Sequence, residues 1–194
     1  GVLMAIIASG FALALVGIAQ YAKQGSLGLR LLGESPLSVN ATGVAVFIAD
    51  GVKYLRAYGT TPHPNILAVW LFAAIFAFYY WYLYLSTSQV DRSKYRLAMS
   101  IGVYAVMLFG LFFTFSRVII GFWVLGVVLR LVIVFLKKDF SNVTPQLKSR
   151  IFALTIVRLA AAGIFSFLFW PQVKSRIHIS AQEEAVTQRV FYNK

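Results

Sequence analysis

The sequence predicts an all-α fold, a polytopic bundle of about five transmembrane helices with one long outer loop. Of the 194 residues, 60% are hydrophobic and only 12% are charged, and the mean hydropathy is +0.78. A soluble domain is usually about half apolar and about a quarter charged. The excess falls in continuous apolar blocks of about 20 residues, the length that crosses a bilayer as a helix. A transmembrane β-barrel would instead show alternating apolar and polar residues.

The net charge and the absence of cysteine exclude some kinds of partner and some kinds of site. A net charge of +12 in a soluble protein would suggest a nucleic-acid partner. Here most of the basic residues flank the apolar blocks, so membrane topology explains them first and no nucleic-acid partner is expected. The sequence has no cysteine, which excludes disulfides, thiolate nucleophiles and Cys-based metal sites. We expect residues 1–194 to be a single membrane domain, an internal fragment of a larger membrane protein.

Five apolar blocks predict the helices. Lys23 bounds the first block, Pro64 opens the second, and Lys137 stops the fourth. Pro171 should end the fifth, because proline has no N–H for the helical hydrogen bond. The expected helix ranges are 2–22, 66–86, 97–115, 118–136 and 151–170.

Short-loop charge predicts the orientation. The loops 87–96 and 137–150 are rich in Lys and Arg, so we expect them in the cytoplasm. The outer loop 23–65, the turn at Arg117 and the outer tail 171–194 would then face outward.

Part of the outer loop has helical spacing of its own. Apolar residues between Val44 and Tyr58 predict a short helix lying on the membrane surface, although Gly51 weakens the pattern.

Three arginines fall on the predicted outer side: Arg56, Arg117 and Arg189. Arginine is always charged and binds phosphate oxygens bidentately, so these side chains suit an anionic lipid-linked substrate. The simpler interpretation of each is an interface anchor or a contact with a lipid head group. Arg117 departs most from it, because almost no loop separates the two helices beside it.

Other polar residues have two interpretations each. His63 lies between two prolines and could be a base or a hydrogen-bond donor, or simply a solvated loop histidine. Asn65 is expected to cap the second helix. Asp50 is the better single carboxylate candidate, or a residue that solubilises the loop. Arg130 and Arg158 lie inside apolar helices, and we expect them to snorkel to the cytoplasmic surface rather than face the bundle interior.

Two motifs and the tail resemble the bacterial O-antigen ligase and Wzy-type polymerase superfamily. Residues 56–65 read Arg–x–x–Gly–Thr–x–x–His–Pro–Asn at the approach to a helix, and a later helix ends in Phe-Thr-Phe-Ser-Arg at 113–117. The tail from Ser180 to Tyr192, with Arg189, is similar to the family's stretch before its second large outer loop. The resemblance covers residues 55–194.

The resemblance implies a larger, GT-C-like glycosyltransferase of the bacterial inner membrane, with its active face in the periplasm. Such enzymes move a glycan from undecaprenyl pyrophosphate to an acceptor hydroxyl on the lipid A core or a growing polysaccharide. No metal and no cofactor are implied. Arg56, Arg117 and Arg189 would bind the pyrophosphate, with His63 as a weaker candidate. The family's catalytic histidine lies beyond Lys194, so no catalytic residue is assigned here and the fragment alone is expected to be inactive.

Two other functions are open. The chain could be a transporter or flippase segment that handles an anionic polyisoprenyl-linked glycan through the same arginines. Transporters tend to have broken helices at the midplane, whereas these helices are unbroken and the polar clusters lie at their outer ends. A purely structural subunit would leave the Arg117 turn and the His-Pro-Asn approach unexplained.

Overall fold

The computed structural model describes residues 1–85, 94–136 and 145–177, which are mostly helical with two short strands. A 3₁₀ turn covers Arg30–Leu32, and a π-helical turn, Trp81–Leu85, extends the second helix. The helices and strands in these ranges are α1 Val2–Lys23, β1 Val46–Ala49, β2 Val52–Leu55, α2 Pro64–Tyr80, α3 Lys94–Phe113, α4 Arg117–Leu136, α5 Pro145–Leu168 and α6 Trp170–Ile177.

Within residues 1–85, 94–136 and 145–177, three helical stretches are long and apolar enough to cross a membrane. They are Val2–Lys23, Pro64–Leu83 and Leu147–Leu168, of 22, 20 and 22 residues. The apolar part of α3, Ala98–Phe113, is shorter. By the length and composition of these helices, the described residues fit a membrane protein. That about five helices cross the membrane stays a prediction.

The surface helix predicted between Val44 and Tyr58 is wrong, because β1 and β2 form an antiparallel hairpin there. Asp50 and Gly51 make its two-residue turn, with φ of 48° and 77°. Positive φ at both central positions is what a type I′ turn needs, and Asp-Gly is a preferred pair for it. The all-α class is therefore too narrow: the described residues form a helical bundle with one hairpin in the outer loop.

Small residues bring α1 close to its neighbours. A Cβ at Gly10 of α1 would clash with the Cβ of Ala74 in α2, and one at Gly110 of α3 would lie 2.6 Å from the Cβ of Ala14. Ala14 is fully buried. Helices in membranes commonly associate through such small-residue contacts, which let their backbones approach. The core accordingly centres on α1, α2 and α3.

The chain turns again after α5. The fifth helix ends at Leu168, and Pro171 lies in the first turn of α6 rather than ending a helix. Proline is tolerated there because the first-turn N–H groups have no partner within the helix. The tail predicted over 171–194 thus begins as a helix; residues 178–194, Arg189 included, lie outside the described residues.

The predicted cytoplasmic loops lie mainly outside the described residues, at 86–93 and 137–144. Arg150 joins α5 to the π-helical turn at that end of the bundle. The Nη1 of Arg150, in α5, donates to the carbonyl of Tyr82 at 3.0 Å, and its guanidinium lies 5.6 Å from the centre of the Tyr82 ring.

Candidate functional site

The carbonyl groups at the end of α3 are bound by residues from distant segments. A helix leaves its last carbonyls without partners, and a cation near them also favours the negative end of the helix dipole. Here three successive carbonyls accept hydrogen bonds: Phe113 O from Ala57 N at 3.0 Å, Thr114 O from Arg56 Nε at 2.7 Å, and Phe115 O from Arg176 Nη2 at 3.4 Å. The outer loop, the turn between α3 and α4, and α6 therefore meet at one end of the bundle.

The turn between α3 and α4 has a constrained backbone. Phe115 has a φ of 46°, in the left-handed region that a residue with a large side chain rarely adopts. Its ring is buried 4.5 Å from that of Phe47, which helps to offset this strain. The Thr114 hydroxyl donates to the Leu111 carbonyl at 2.6 Å and accepts from Ser116 N at 3.3 Å. These contacts fix the direction in which Arg117 leaves the turn.

Arg117, the first residue of α4, lies in the wall of a cavity of about 480 Å³, here called the turn cavity. The cavity lies between α4 on one side and α5 and α6 on the other. Arg176 of α6 is also in its wall. Most of the remaining lining is apolar, including Phe112, Trp123 and Phe165.

The charge around the turn cavity is positive. Arg117 and the amino-terminal end of the α4 dipole have the same sign, so an anion at this point would interact favourably with both. The carboxylates within the described residues are Glu34 and Asp50, and neither lines the cavity. An apolar cavity with two guanidinium groups in its wall can hold an anionic group that carries an apolar chain.

Arg56 lies behind the turn instead of in the cavity wall. Its side chain is only 8% exposed. Besides the bond to Thr114 O, its Nη2 donates to Asn65 Oδ1 at 2.7 Å. Arg56 thus joins the outer loop, the start of α2 and the turn, and it positions Arg117 through that turn.

His63, not Asn65, caps α2. The His63 Nδ1 accepts from the backbone N–H of Asn65 at 3.1 Å, so the expectation that the Asn65 side chain caps the helix is wrong. Because Nδ1 accepts, neutral His63 carries its proton on Nε2 and can offer a hydrogen-bond donor to solvent or ligand. Burial, and then the positive charge of Arg56, lower the pKa of His63.

A buried polar network anchors the 56–65 segment to α1, and the sequence patterns give no sign of it. Gln20 is fully buried, and its Nε2 donates to Glu34 Oε1 at 2.9 Å and to the Gly59 carbonyl at 2.7 Å. Its Oε1 accepts from Tyr58 N at 3.1 Å and from Gly59 N at 2.8 Å. All the polar atoms of the Gln20 side chain are therefore used to fix the loop that leads to α2.

Glu34 is the second member of this network. Its carboxylate also accepts from the backbone N–H groups of Leu27 and Leu29, both at 2.6 Å. Burial by itself would raise the pKa of Glu34, but the hydrogen bonds from Leu27, Gln20 and Leu29 outweigh it and lower the pKa. The first half of the outer loop thus depends on one ionised carboxylate.

Snorkelling of Arg130 and Arg158 is wrong. Arg158 is only 8% exposed, and its Nε donates to the Tyr104 hydroxyl at 2.5 Å. The guanidinium groups of Arg130 and Arg158 lie 4.5 Å and 4.4 Å from the centre of the same ring, that of Tyr79. Both side chains face the bundle interior.

The structure brings Arg56 and Arg117 to the same turn and leaves His63 at the exposed start of α2. The sequence analysis does not identify Arg176, because it predicts a tail after Pro171. The available signal for a new helix is a proline followed by mixed polar and apolar residues. Within the described residues, no group of three His, Asp or Glu side chains could hold a metal ion. Comparison with known proteins finds no matching family model, curated protein or solved structure.

Proposed function

We propose that this chain is the substrate-binding part of a membrane glycosyltransferase of the O-antigen ligase and polymerase type. It would move a glycan from undecaprenyl pyrophosphate to an acceptor hydroxyl, on the lipid A core or a growing polysaccharide. The observation that carries the proposal is the turn cavity, an apolar space with Arg117 and Arg176 in its wall at the start of α4. A polyprenyl pyrophosphate combines the same two properties, an apolar chain and a doubly phosphorylated head.

The electrostatics suit the reaction. When the glycan leaves, negative charge develops on the pyrophosphate, and fixed positive groups aimed at it stabilise the transition state. Arg117 and the amino-terminal end of α4 would supply such charge on one side, and Arg176 on the other. Arg56 would act indirectly, by holding the turn through Thr114 O. Arg189 stays a proposed third ligand of the pyrophosphate.

The proposal carries a location and partners. The protein would lie in the inner, or plasma, membrane of a bacterium, with the turn cavity on the periplasmic face. Its partners would be the lipid-linked glycan, the glycan acceptor and the surrounding membrane lipid. The base that activates the acceptor hydroxyl is not assigned to a residue of this chain.

Binding and transfer can be tested separately. Purified protein in maltoside detergent would be titrated with undecaprenyl pyrophosphate, with ³¹P NMR line broadening as the binding signal. Arg117→Ala and Arg176→Ala should each weaken binding about tenfold or more, the expected loss for a charge-assisted hydrogen bond of about 1.5–3 kcal/mol. In the whole protein the same variants should lose glycan transfer.

Lys174→Ala is the matched control, since Lys174 is an exposed cation on the same helix as Arg176 and does not line the cavity. It should leave both readouts unchanged. Equal binding by the wild type, Arg117→Ala and Arg176→Ala would remove the pyrophosphate from the turn cavity and with it the basis of the proposal.

A transporter or flippase segment for an anionic polyisoprenyl-linked glycan is the second candidate. The observation that favours it is the interior position of Arg130 and Arg158, because charged residues within membrane helices often mark a transport path. Proteoliposomes would separate the two functions. Transbilayer movement of a fluorescent lipid-linked glycan, lost in Arg130→Gln and unaffected by removal of the acceptor, would favour transport over transfer.

A further inference from the structure

A second cavity lies deeper in the bundle, between α2, α4 and α5. It has a volume of about 130 Å³, and its wall includes Arg130, Arg158, Tyr79 and Trp123. Trp123 also lines the turn cavity, so the two cavities have this residue in common. This deeper space is called the Arg130–Arg158 cavity below.

The guanidinium groups of Arg130 and Arg158 place two positive charges in the wall of this cavity. Both lie against the Tyr79 ring, and the hydroxyl that Arg158 binds belongs to Tyr104, a neutral acceptor that cancels no charge. The carboxylates of the described residues, Glu34 and Asp50, lie in the outer loop. Charged side chains inside membrane proteins are costly and almost always pair with an opposite charge or a polar group.

Three buried polar atoms around the cavity lack hydrogen-bond partners among the described residues. They are the Trp123 Nε1, the Arg130 Nε and the Tyr79 hydroxyl. Trp123 is only 7% exposed, so water does not reach its indole freely. Leaving a buried donor without a hydrogen-bond partner is unfavourable. Two of these atoms can only donate, and the third can, which makes the cavity complementary to an acceptor.

From these contacts we infer that the Arg130–Arg158 cavity binds one phosphate-type oxyanion, held by both guanidinium groups and by the N–H of Trp123. The planar guanidinium group matches the oxygens of a phosphate bidentately, which a spherical halide cannot exploit. A volume of about 130 Å³ is about four times that of a water molecule in the liquid, enough for one such group. This site is independent of the proposed transfer reaction and of the turn cavity. The oxyanion can be free phosphate or the phosphate of a membrane lipid.

Inorganic phosphate is the probe. The protein would be purified in maltoside, which contains no phosphorus, and titrated with sodium phosphate against sodium chloride at constant ionic strength. We expect phosphate to raise the melting temperature of the wild type. Arg130→Gln should weaken the phosphate affinity about tenfold or more, the loss expected for one charge-assisted contact. Arg30→Gln, which removes an exposed arginine from the outer loop, should not change it.

Two further variants make the test specific. Tyr79→Phe keeps the ring beneath the guanidinium groups and removes only the unpartnered hydroxyl. Without phosphate it should be as stable as the wild type or more so, and it should bind phosphate more weakly. A phosphate response that persists in Arg117→Gln and is lost in Arg130→Gln would place the phosphate in the Arg130–Arg158 cavity. Loss of the response in Arg117→Gln but not in Arg130→Gln would place the phosphate in the turn cavity and overturn the inference.

The source of the oxyanion is read from the phosphorus content of the purified protein. About one phospholipid phosphorus per chain in the wild type, lost in Arg130→Gln, together with no response to added phosphate, would identify a lipid as the ligand. A response to added phosphate in protein free of phosphorus would identify free phosphate. Equal phosphate responses and equal phosphorus contents in the wild type and Arg130→Gln would overturn the inference.

Discussion

The Nε of Arg56 donates to the carbonyl of Thr114 across 58 residues of sequence, at 2.7 Å. This bond joins the outer loop to the end of α3, one residue before the strained Phe115 and three before Arg117. Arg117, which we propose to bind the pyrophosphate, is thus positioned by Arg56, an arginine that does not line the turn cavity.

Replacing Arg56 by lysine should destabilise the bundle although the charge is kept. Lysine cannot donate at once to Thr114 O and Asn65 Oδ1 in the fixed geometry of a guanidinium group. Buried hydrogen bonds to a charged group contribute about 1.5–3 kcal/mol. We expect Arg56→Lys to lower the free energy of unfolding by this amount, measured by denaturant titration in mixed micelles.

Arg30→Lys is the matched control for this experiment, since Arg30 is exposed. It should change the free energy of unfolding by less than about 0.5 kcal/mol, as is usual for surface positions. An Arg56→Lys variant as stable as this control would mean that the two hydrogen bonds contribute nothing to holding the turn.

His63 should make stability depend on pH in the neutral to weakly acidic range. Its lowered pKa means that the unfolded chain takes up a proton before the folded one as the pH falls. Stability from the neutral histidine is therefore complete above the ordinary histidine pKa and declines as the pH falls through the interval down to the folded-state pKa. Protonation at Nδ1 also removes the acceptor for the Asn65 N–H.

Two substitutions at His63 separate the cap from the titration. His63→Asn keeps a side-chain acceptor at the N-cap and has no titrating ring, so its melting temperature should be less sensitive to pH in this range. His63→Ala should lose about 0.5–2 kcal/mol at pH 8, the usual cost of a lost cap. If His63→Asn keeps the full pH dependence of the wild type, the effect comes from other groups.

Glu34 should make stability depend on pH in a more acidic range than His63 does. Since its folded-state pKa lies below the ordinary carboxyl value, its stabilising contribution is present above that ordinary value and is lost as the pH falls through the folded-state pKa. Protonation weakens the acceptance of hydrogen bonds from Leu27 N and Leu29 N, so the outer loop should open. Limited proteolysis between pH 7 and pH 3, with an acid-active protease, measures this opening.

Glu34→Gln should make the outer loop sensitive to the protease already at pH 7. Asp50→Asn is the control, because it removes a carboxylate from an exposed hairpin turn where asparagine also tolerates positive φ. It should leave the cleavage rate unchanged. Equal protection of Glu34→Gln and the wild type at pH 7 would show that the charge of Glu34 is dispensable.

The sequence predicts the helices well and the outer loop poorly, for a physical reason. The long apolar blocks that predict α1 to α5 follow from the cost of exposing backbone and charge to lipid. The hairpin was also readable, since Asp50-Gly51 between short β-favouring runs is a strong local signal, but the apolar spacing over Val44 to Tyr58 favoured a helix. Gln20 and Glu34, by contrast, are 14 residues apart and meet only through tertiary packing.

The candidate site, too, could be predicted from the sequence only in part. Its cations are identifiable by type, since arginine is always charged and binds phosphate oxygens bidentately. The role of each arginine could not be predicted, because it depends on the direction in which the side chain points. Arg56 points back into the turn, Arg158 points into the bundle, and Arg176 reaches the cavity from a helix that was not expected. Spacing along one helix does not determine which neighbour a long side chain will meet.

The close approach of α1 and α3 should depend on Gly110. A Cβ there would lie 2.6 Å from the Cβ of Ala14 and 2.9 Å from its Cα. The second of these atoms belongs to the backbone, so the strain cannot be relieved by turning a side chain, and the helices must separate. Overpacking of this kind costs about 1–3 kcal/mol. We expect Gly110→Ala to lower the free energy of unfolding by this amount.

Gly102 provides the control on the same helix, because nothing lies within 4 Å of the Cβ that alanine would add there. Alanine is the better helix former by about 0.5–1 kcal/mol, so Gly102→Ala should be neutral or slightly stabilising. The two variants add the same methyl group to one helix, and their difference isolates the contact with Ala14. If Gly110→Ala is as stable as Gly102→Ala, then the backbones of α1 and α3 are not in close contact at Ala14 and Gly110.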